Sequence, residues 1–481
     1  MQLTFENGRV VIHRIKKEQS ATITKEYIEK SNIYNKQLIK LPQNDTGNAR
    51  RVLLFCRDYV KFNISTGSWI IWDGKLWESQ TAEERIKTLI QAVMDKYYDV
   101  VKNDRELDEP IKKTILYHAR RSNDNNSIIN ILSLLKAMNY VKEMSCKSHY
   151  LNVQNGVVNL KTKELLPHRP EYGCTNICKC DYNPEAKSLR FKQFVREIMD
   201  FNKEKYSYLQ VSSGYCITGT QKEQKLFVYL GNGANGKSKY LEAVAHTLND
   251  YANVFPVKAI LKSNSQAGSP TPELIPLINR RFTYSSELKS ENVINDAFIK
   301  QITGNSKLPV RKMRQEFSNM DILFKIIIDT NNAPNFKHFD YAIKRRIVII
   351  PFTRTFEGDN KDEDLKNKLF EDSEYILKWL IDGAYKYYNE GLKEPPIIAN
   401  AIEDYCDNAD SIGSFIKNAI VYEKDELMKS SVLYTRYSQY CFESGFSPVD
   451  IKSFSQSMQN RGFEKKIKNT GAYFKDIKLQ E

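Results

Sequence analysis

Short apolar runs and helical spacings alternate through the middle of this chain. Residues 226–230, 282–286, 323–330 and 346–352 are hydrophobic stretches of strand length. After the first of them, Leu241, Val244, Ala245 and Leu248 recur at i, i+3, i+4 and i+7. That spacing lines up one apolar stripe on a helix that lies on a sheet. Strand and helix in alternation from 226 to 355 predict an α/β sheet. Residues 361–390 carry Leu365, Leu369, Ile376, Leu377 and Leu380 at helical spacing, halted by Gly391 and Pro395-Pro396.

The flanks read differently. Residues 1–50 are polar and predict no periodic element, so they are expected to be an arm or a small appended unit. Tryptophans at 69, 72 and 77 sit in two strand-like runs turning at Asp73-Gly74. Helical patterning then runs from about Ala82 to Met144, and Leu151–Leu160 is hairpin-like. The last 55 or so residues predict a small separate unit: a helix over 453–461, then two strands, 463–467 and 473–477, turning near Gly471. The expected domains are therefore 1–50, 51–195 (helical or α+β), 196–395 (the α/β core) and 396–481.

Chemistry concentrates directly after the first core strand. Residues 231–238 read Gly-Asn-Gly-Ala-Asn-Gly-Lys-Ser, a full G-x-x-x-x-G-K-[ST] loop between strand and helix. Backbone N–H groups can wrap a phosphate only where side chains leave room, hence Gly231, Gly233 and Gly236. The start of the following helix adds a positive dipole end. Gly231, Asn232, Gly233, Ala234, Asn235, Gly236, Lys237, Ser238 and Lys239 are the expected ATP-binding residues. Lys237 would reach the β and γ oxygens and Ser238 would hold Mg²⁺.

A cradle of this kind needs a carboxylate to organise the metal and water, and the strand 282–286 ends in Glu287. Ser238 and Glu287 are thus the expected metal pair. The next strand ends in Asn331-Asn332-Ala-Pro334, where an amide can hold water or sense the γ-phosphate. Lys344-Arg345-Arg346 precede the last strand, and Arg346 is favoured over Arg345 as an arginine given to a neighbouring subunit's site.

Charge adds a partner. The chain has 481 residues, 41% of them hydrophobic, a net charge of +13 and a pI near 9.0, which together suit several folded domains and a polyanionic partner. Basic residues cluster on a hairpin-like segment containing Lys307, Arg311, Lys312 and Arg314. They cluster again in the last unit, where residues 452–478 hold seven Lys or Arg against two acids. Helices followed by a basic hairpin suggest a winged helix-turn-helix, with helix 452–461 as the reader and Arg461, Lys465 and Lys466 as DNA-binding residues. Cys174, Cys178 and Cys180 beside His168 do not match zinc-knuckle spacing and read as buried small residues. Eight scattered cysteines, no apolar run of membrane-spanning length and no signal peptide predict a cytoplasmic protein without a membrane partner.

Taken in order, these residues resemble a known family. From Glu197 to Phe352 the chain resembles the helicase domain of phage, plasmid and poxvirus replication proteins, the superfamily 3 helicases of the AAA+ class. The resemblance is carried by Tyr208-Leu-Gln, Gly214-Tyr215, Gly231 to Ser238 and Pro272 through Arg281 to Glu287. It continues in Lys300 to Arg314, Thr330 to Pro334 and Arg345 to Phe352. The segment at 69–77 and Asn155-Gly156 are similar to the domain preceding the motor in such proteins, and residues from about 405 to their winged-helix tail.

The resemblance implies a homohexameric ring that hydrolyses ATP between subunits and pulls single-stranded DNA, or one strand of a fork, generally 3′ to 5′. By position it makes Lys237, Glu287, Asn331 and Arg346 the catalytic set. Two departures stand out. Many members have paired acids where this chain has Ser286-Glu287, and the first 50 residues are too few for a primase domain, so a separate primase or polymerase is expected. Two other readings fit the same motifs: an ATPase that loads or remodels replication proteins, and an origin-binding protein that uses ATP as an assembly switch.

Overall fold

The computed structural model describes residues 2–6, 9–13, 23–261, 272–285, 288, 292–311, 317–336, 340–357, 362–444, 446 and 448–480. At its centre is a five-stranded, all-parallel sheet. Its strands are β1 (Leu226–Leu230), β2 (Ala252–Phe255), β3 (Phe282–Ser285), β4 (Lys325–Thr330) and β5 (Ile347–Pro351), in the spatial order β2-β3-β4-β1-β5. The register sets Val228 beside Ile328 on one side and Ile349 on the other.

Covered on both faces, these strands need continuous apolar sequence rather than alternation. Phe227, Val228, Ile327, Ile328 and Ile347 to Ile350 are all buried. Helix α1 (Lys237–Leu248) packs on the sheet through Leu241, Val244 and Leu248. Helices Lys203–Cys216 and Ser373–Glu390 pack closely on each other. A Cβ on Gly214 would lie 2.1 Å from the backbone at Gly383 and Ala384, so this crossing admits no larger residue.

Strand β2 was not expected. It is an edge strand whose exposed or half-exposed residues, Val254 among them, form no apolar run.

The amino ends of β3 and β4 are closed by two buried cations. Arg281 donates to the carbonyls of Ile217 (3.1 Å) and Lys147 (3.2 Å) and lies over the Tyr251 ring. Lys325 donates to the carbonyls of Thr218 and Leu323 and lies 5.0 Å from the Tyr215 ring centre. Burial pushes both groups below their usual pKa ranges, Lys325 far below.

A separate hydrophobic core runs from Ile23 to Leu135. It joins helices Asp45–Cys56, Ala82–Asn103, Glu109–Arg121 and Asn125–Met138 to a four-stranded sheet that includes Ser68–Trp72 and Trp77–Glu78. Residues 23–50 therefore belong to this domain and are not an arm. Ile28 and Leu38 are fully buried, on helices of six residues, too short to show a period in sequence. Arg51 fixes that segment by donating to the carbonyls of Leu38, Leu41 and Pro42, with its guanidinium 3.9 Å from the Tyr97 ring centre. Residues 2–6 and 9–13 form an antiparallel hairpin.

The cores also divide at places other than the expected boundaries. Leu151, Val153, Val158 and Leu160 pack with the parallel sheet, as do Ile398, Ile402 and Tyr405 of helix Pro396–Ala409. The C-terminal core begins at Ile412. It holds helices Ser411–Ala419, Ser430–Glu443 and Ile451–Asn460 and a three-stranded antiparallel sheet with Gly471–Leu479 in the middle. Its first strand, Ile420–Lys429, is exposed or half-exposed throughout, and its apolar residues are split by the charged run Glu423–Glu426. The last two strands turn at Asn469-Thr470, ahead of Gly471.

Cys146 and Cys174 are paired, Cys178 is buried and Cys180 half-buried. Among the described residues no cluster of three His, Cys, Asp or Glu is placed to hold a metal, and no helix is long and apolar enough to cross a membrane.

Candidate functional site

Because β1 lies between β4 and β5, the segments leaving the carboxyl ends of these three strands converge. In open α/β sheets, ligands bind at that edge. The loop after β1 is bonded to both neighbours: Gly231 N–H donates to the Thr330 carbonyl (3.3 Å) and Phe356 N–H to the Ala234 carbonyl (2.7 Å).

Two glycines are needed there for different reasons. A Cβ on Gly231 would sit 2.2 Å from both Asn235 Nδ2 and the Phe352 carbonyl oxygen. Gly236 has φ +84° and lies against Ile198 and Phe194, so it is required by packing as well as by backbone conformation. It also caps α1, where the first N–H of the helix, that of Lys237, donates to Asn235 Oδ1 at 3.5 Å.

Lys237 is buried, and its ammonium donates to the Gly231 carbonyl (2.6 Å) and to Asn331 Oδ1 (3.0 Å). It lies 3.7 Å from Asp329 Oδ1. The hydroxyl of Ser238 donates to Asp329 Oδ2 at 2.8 Å. Lys237, Ser238 and Asn331 are thus brought together. Asn232 and Lys239 are exposed, Asn235 is buried, and Glu287 lies outside the described residues.

Asp329 was missed by the sequence reading. Its signal was there: an acid ending the run Ile326-Ile327-Ile328, on the strand paired with β1 and level with Tyr229.

The two arginines lie at the other end of the sheet, before β5, whose first residue is level with Leu226. They are separated from the loop by the length of a five-residue strand, about 16 Å. Arg346 is turned inward, donating to Thr303 Oγ1 (3.0 Å) and the Ala342 carbonyl (2.6 Å). Burial, then the neighbouring Arg345, lowers its pKa. Arg345 is exposed and donates to Gln224 Oε1 (3.0 Å).

The basic hairpin exists as Lys307–Arg311 paired with Phe317–Asp321. Lys307 stands at its base, not its tip, ion-paired with Asp321 (3.1 Å) and with Glu143 of the preceding domain (3.5 Å). The side chain of Arg311 and all of Lys312 and Arg314 lie outside the described residues. In the C-terminal unit Arg461 is paired with Asp410 (2.8 Å) and Lys465 donates to Ser455 Oγ (2.6 Å). Lys466 is exposed on its strand, 3.9 Å from Glu464.

On helix Pro396–Ala409, the Tyr405 hydroxyl donates to the Pro334 carbonyl at 2.5 Å, at the end of the turn that begins with Asn331.

The fold and this edge define a mixed α/β protein with a glycine-loop site on a parallel sheet. Residues 49–200 match the family described as D5 N terminal like, and residues 407–478 the family described as Poxvirus D5 protein-like. The chain is 25% identical over 304 residues to "Putative helicase L207/L206" of Acanthamoeba polyphaga mimivirus, covering 59% of this chain and 32% of that protein. It is 22% identical over 368 residues to "Putative primase C962R" of African swine fever virus (69% and 37%), and 28% over 168 residues to "Primase D5" of Fowlpox virus (33% and 20%). The chain is thus similar to viral proteins named as helicases and as primases, and it spans about a third of the length of the first curated relatives it matches. In three dimensions it is similar to the C-terminal region of NrS-1, residues 305–718 (TM-score 0.42, 10% identity, 87% of this chain and 96% of that one).

Proposed function

We propose that this chain is an ATP-hydrolysing DNA helicase motor of the superfamily 3, AAA+ type. In this reading it acts in viral or mobile-element replication as a ring of identical subunits, a hexamer on the family resemblance, on single-stranded or forked DNA. The observation that carries the reading is the cluster at the β1–β4 edge, where Lys237 joins the glycine loop to Asn331 and Ser238 meets Asp329.

Each group has a task. The loop N–H groups and Lys237 take phosphate oxygens, which replace the Gly231 carbonyl as partners of the ammonium. The Ser238 hydroxyl and Asp329 carboxylate, 2.8 Å apart, are hard oxygen donors that fit Mg²⁺, and we add Asp329 to the metal set beside Glu287. Bound there, Mg²⁺ would neutralise charge on the β and γ phosphates. The Asn331 amide, held next to Lys237, orients the attacking water or reads whether the last phosphate is present.

No arginine of the β5 turn reaches the loop of its own chain, so one acting in turnover does so in a neighbour's site. Exposure favours Arg345 for that contact, with Arg346 holding the turn through Thr303 and Ala342, which reverses the order expected from sequence. A separate primase or polymerase partner fits the same reading.

The test is ATP turnover with and without single-stranded DNA, followed by strand separation on forks with a 3′ or a 5′ tail. Stimulated turnover with separation of 3′-tailed forks is expected. Full turnover without any strand separation would move the chain to the loading or remodelling ATPases.

A further inference from the structure

One exposed face of the C-terminal unit is unlike the rest of this basic chain. Helix Ile451–Asn460 buries Phe454, Ser455 and Met458. At α-helical spacing, Lys452, Gln456, Gln459 and Asn460 then share an arc of about 100° pointing away from that core. All four are exposed. Three of them are carboxamides, and Lys452 is the single full charge. The adjoining acid, Asp450, is engaged as the helix cap, accepting from the N–H groups of Lys452 and Ser453 and from the Ser453 hydroxyl. Gln456 Nε2 donates to Asn460 Oδ1 at 3.0 Å, which orders the pair.

A surface that only grips phosphates needs positive charge. This face has little, because the charge is on the neighbouring strands. Lys466 and Lys468 flank Ile467, which is 84% exposed, on strand Lys465–Lys468. Lys465, bonded to Ser455, fixes that strand against the helix. A carboxamide offers a donor beside an acceptor, which matches the N7 and N6 edge of adenine in the major groove. Helix and strands therefore divide hydrogen-bonding edges from charge.

Resting on the reading of this unit as DNA-binding, we infer that the face formed by Gln456, Gln459 and Asn460 reads adenine edges in the major groove of duplex DNA. Lys466 and Lys468 supply the sequence-independent hold. The full chain is incubated with a pool of duplexes carrying a randomised core of about one helical turn, and the bound fraction is sequenced. The wild type should enrich A·T pairs at adjacent positions. Gln456→Ala and Asn460→Ala should each lose roughly tenfold of that preference at one position while still binding the unselected pool. Lys466→Ala should weaken all sequences alike and flatten the salt dependence.

A wild-type chain that binds duplex without enriching any sequence overturns the assignment, as does enrichment unchanged in both amide variants. Failure of the wild type to bind duplex at all overturns it together with the DNA-binding reading of the unit. ATP turnover on the same preparation reports on the motor independently.

Discussion

Buried cations stand at both ends of the parallel sheet, in opposite company. At the amino ends of β3 and β4, Arg281 and Lys325 are held by backbone carbonyls and aromatic rings. At the carboxyl ends of β1 and β4, Lys237 shares its space with an acid, an amide and a glycine loop. The Ile217 and Lys147 carbonyls lie at the end of the sheet away from the glycine loop, so the first arrangement is a fixed staple across Lys147, Ile217 and the sheet. The second is a set of exchangeable contacts in which a phosphate can take over from the Gly231 carbonyl. Burial alone does not separate structural from functional charge. What surrounds the charge does.

Substitutions at the two ends should separate along that line. The largest effect is expected for Lys237→Ala, with ATP turnover falling by about 10² to 10³ and little change in the urea midpoint; near-normal turnover would break the comparison. Next comes Arg281→Met, which removes the donor to the buried Ile217 carbonyl and one of the two donors to that of Lys147, and should cost about 1–3 kcal/mol in urea unfolding. The folded fraction should keep its affinity for ATP, and a loss there instead would show the staple to be part of the site.

Lys325→Met should be the mildest at neutral pH, about 1 kcal/mol, since the Thr218 and Leu323 carbonyls lose their donor while the cost of burying the ammonium is removed with it. Its diagnostic is pH. Burial holds the Lys325 pKa well below that of the unfolded chain, so between the two values the unfolded state binds more protons. Wild-type stability should therefore climb, relative to Lys325→Met, as pH rises toward about 10. Parallel pH profiles would mean that Lys325 stays charged in place.

The two ends also differed in how far sequence revealed them. Glycine spacing, a preceding apolar run and a following helix stripe marked Lys237 and Ser238, and a polar turn after the next strand marked Asn331. Asp329 escaped because it stands inside a strand, where an acid reads as a surface position unless the pairing of that strand with β1 is known. Arg281 and Lys325 escaped for a related reason: a cation at a strand's start normally faces water, and its burial depends on helix Lys203–Cys216 folding over it. Inward rotation of Arg346 onto Thr303 is likewise a tertiary event, between residues 43 positions apart. Among the elements, β1, β4 and β5 were legible as continuous apolar runs. Edge strand β2 and the exposed strand Ile420–Lys429 were not, because neither buries a full face. The six-residue helices before Asn44 were too short to show a period.

The Tyr405–Pro334 bond has a mechanical reading. Tyr405 lies five residues ahead of Asp410, whose carboxylate both caps the first helix of the C-terminal unit and grips Arg461. The turn that follows Asn331 and the start of the terminal module are therefore joined by one short shaft, about one and a half helical turns long. A small displacement at the bearing is magnified at the free end of whatever the shaft carries.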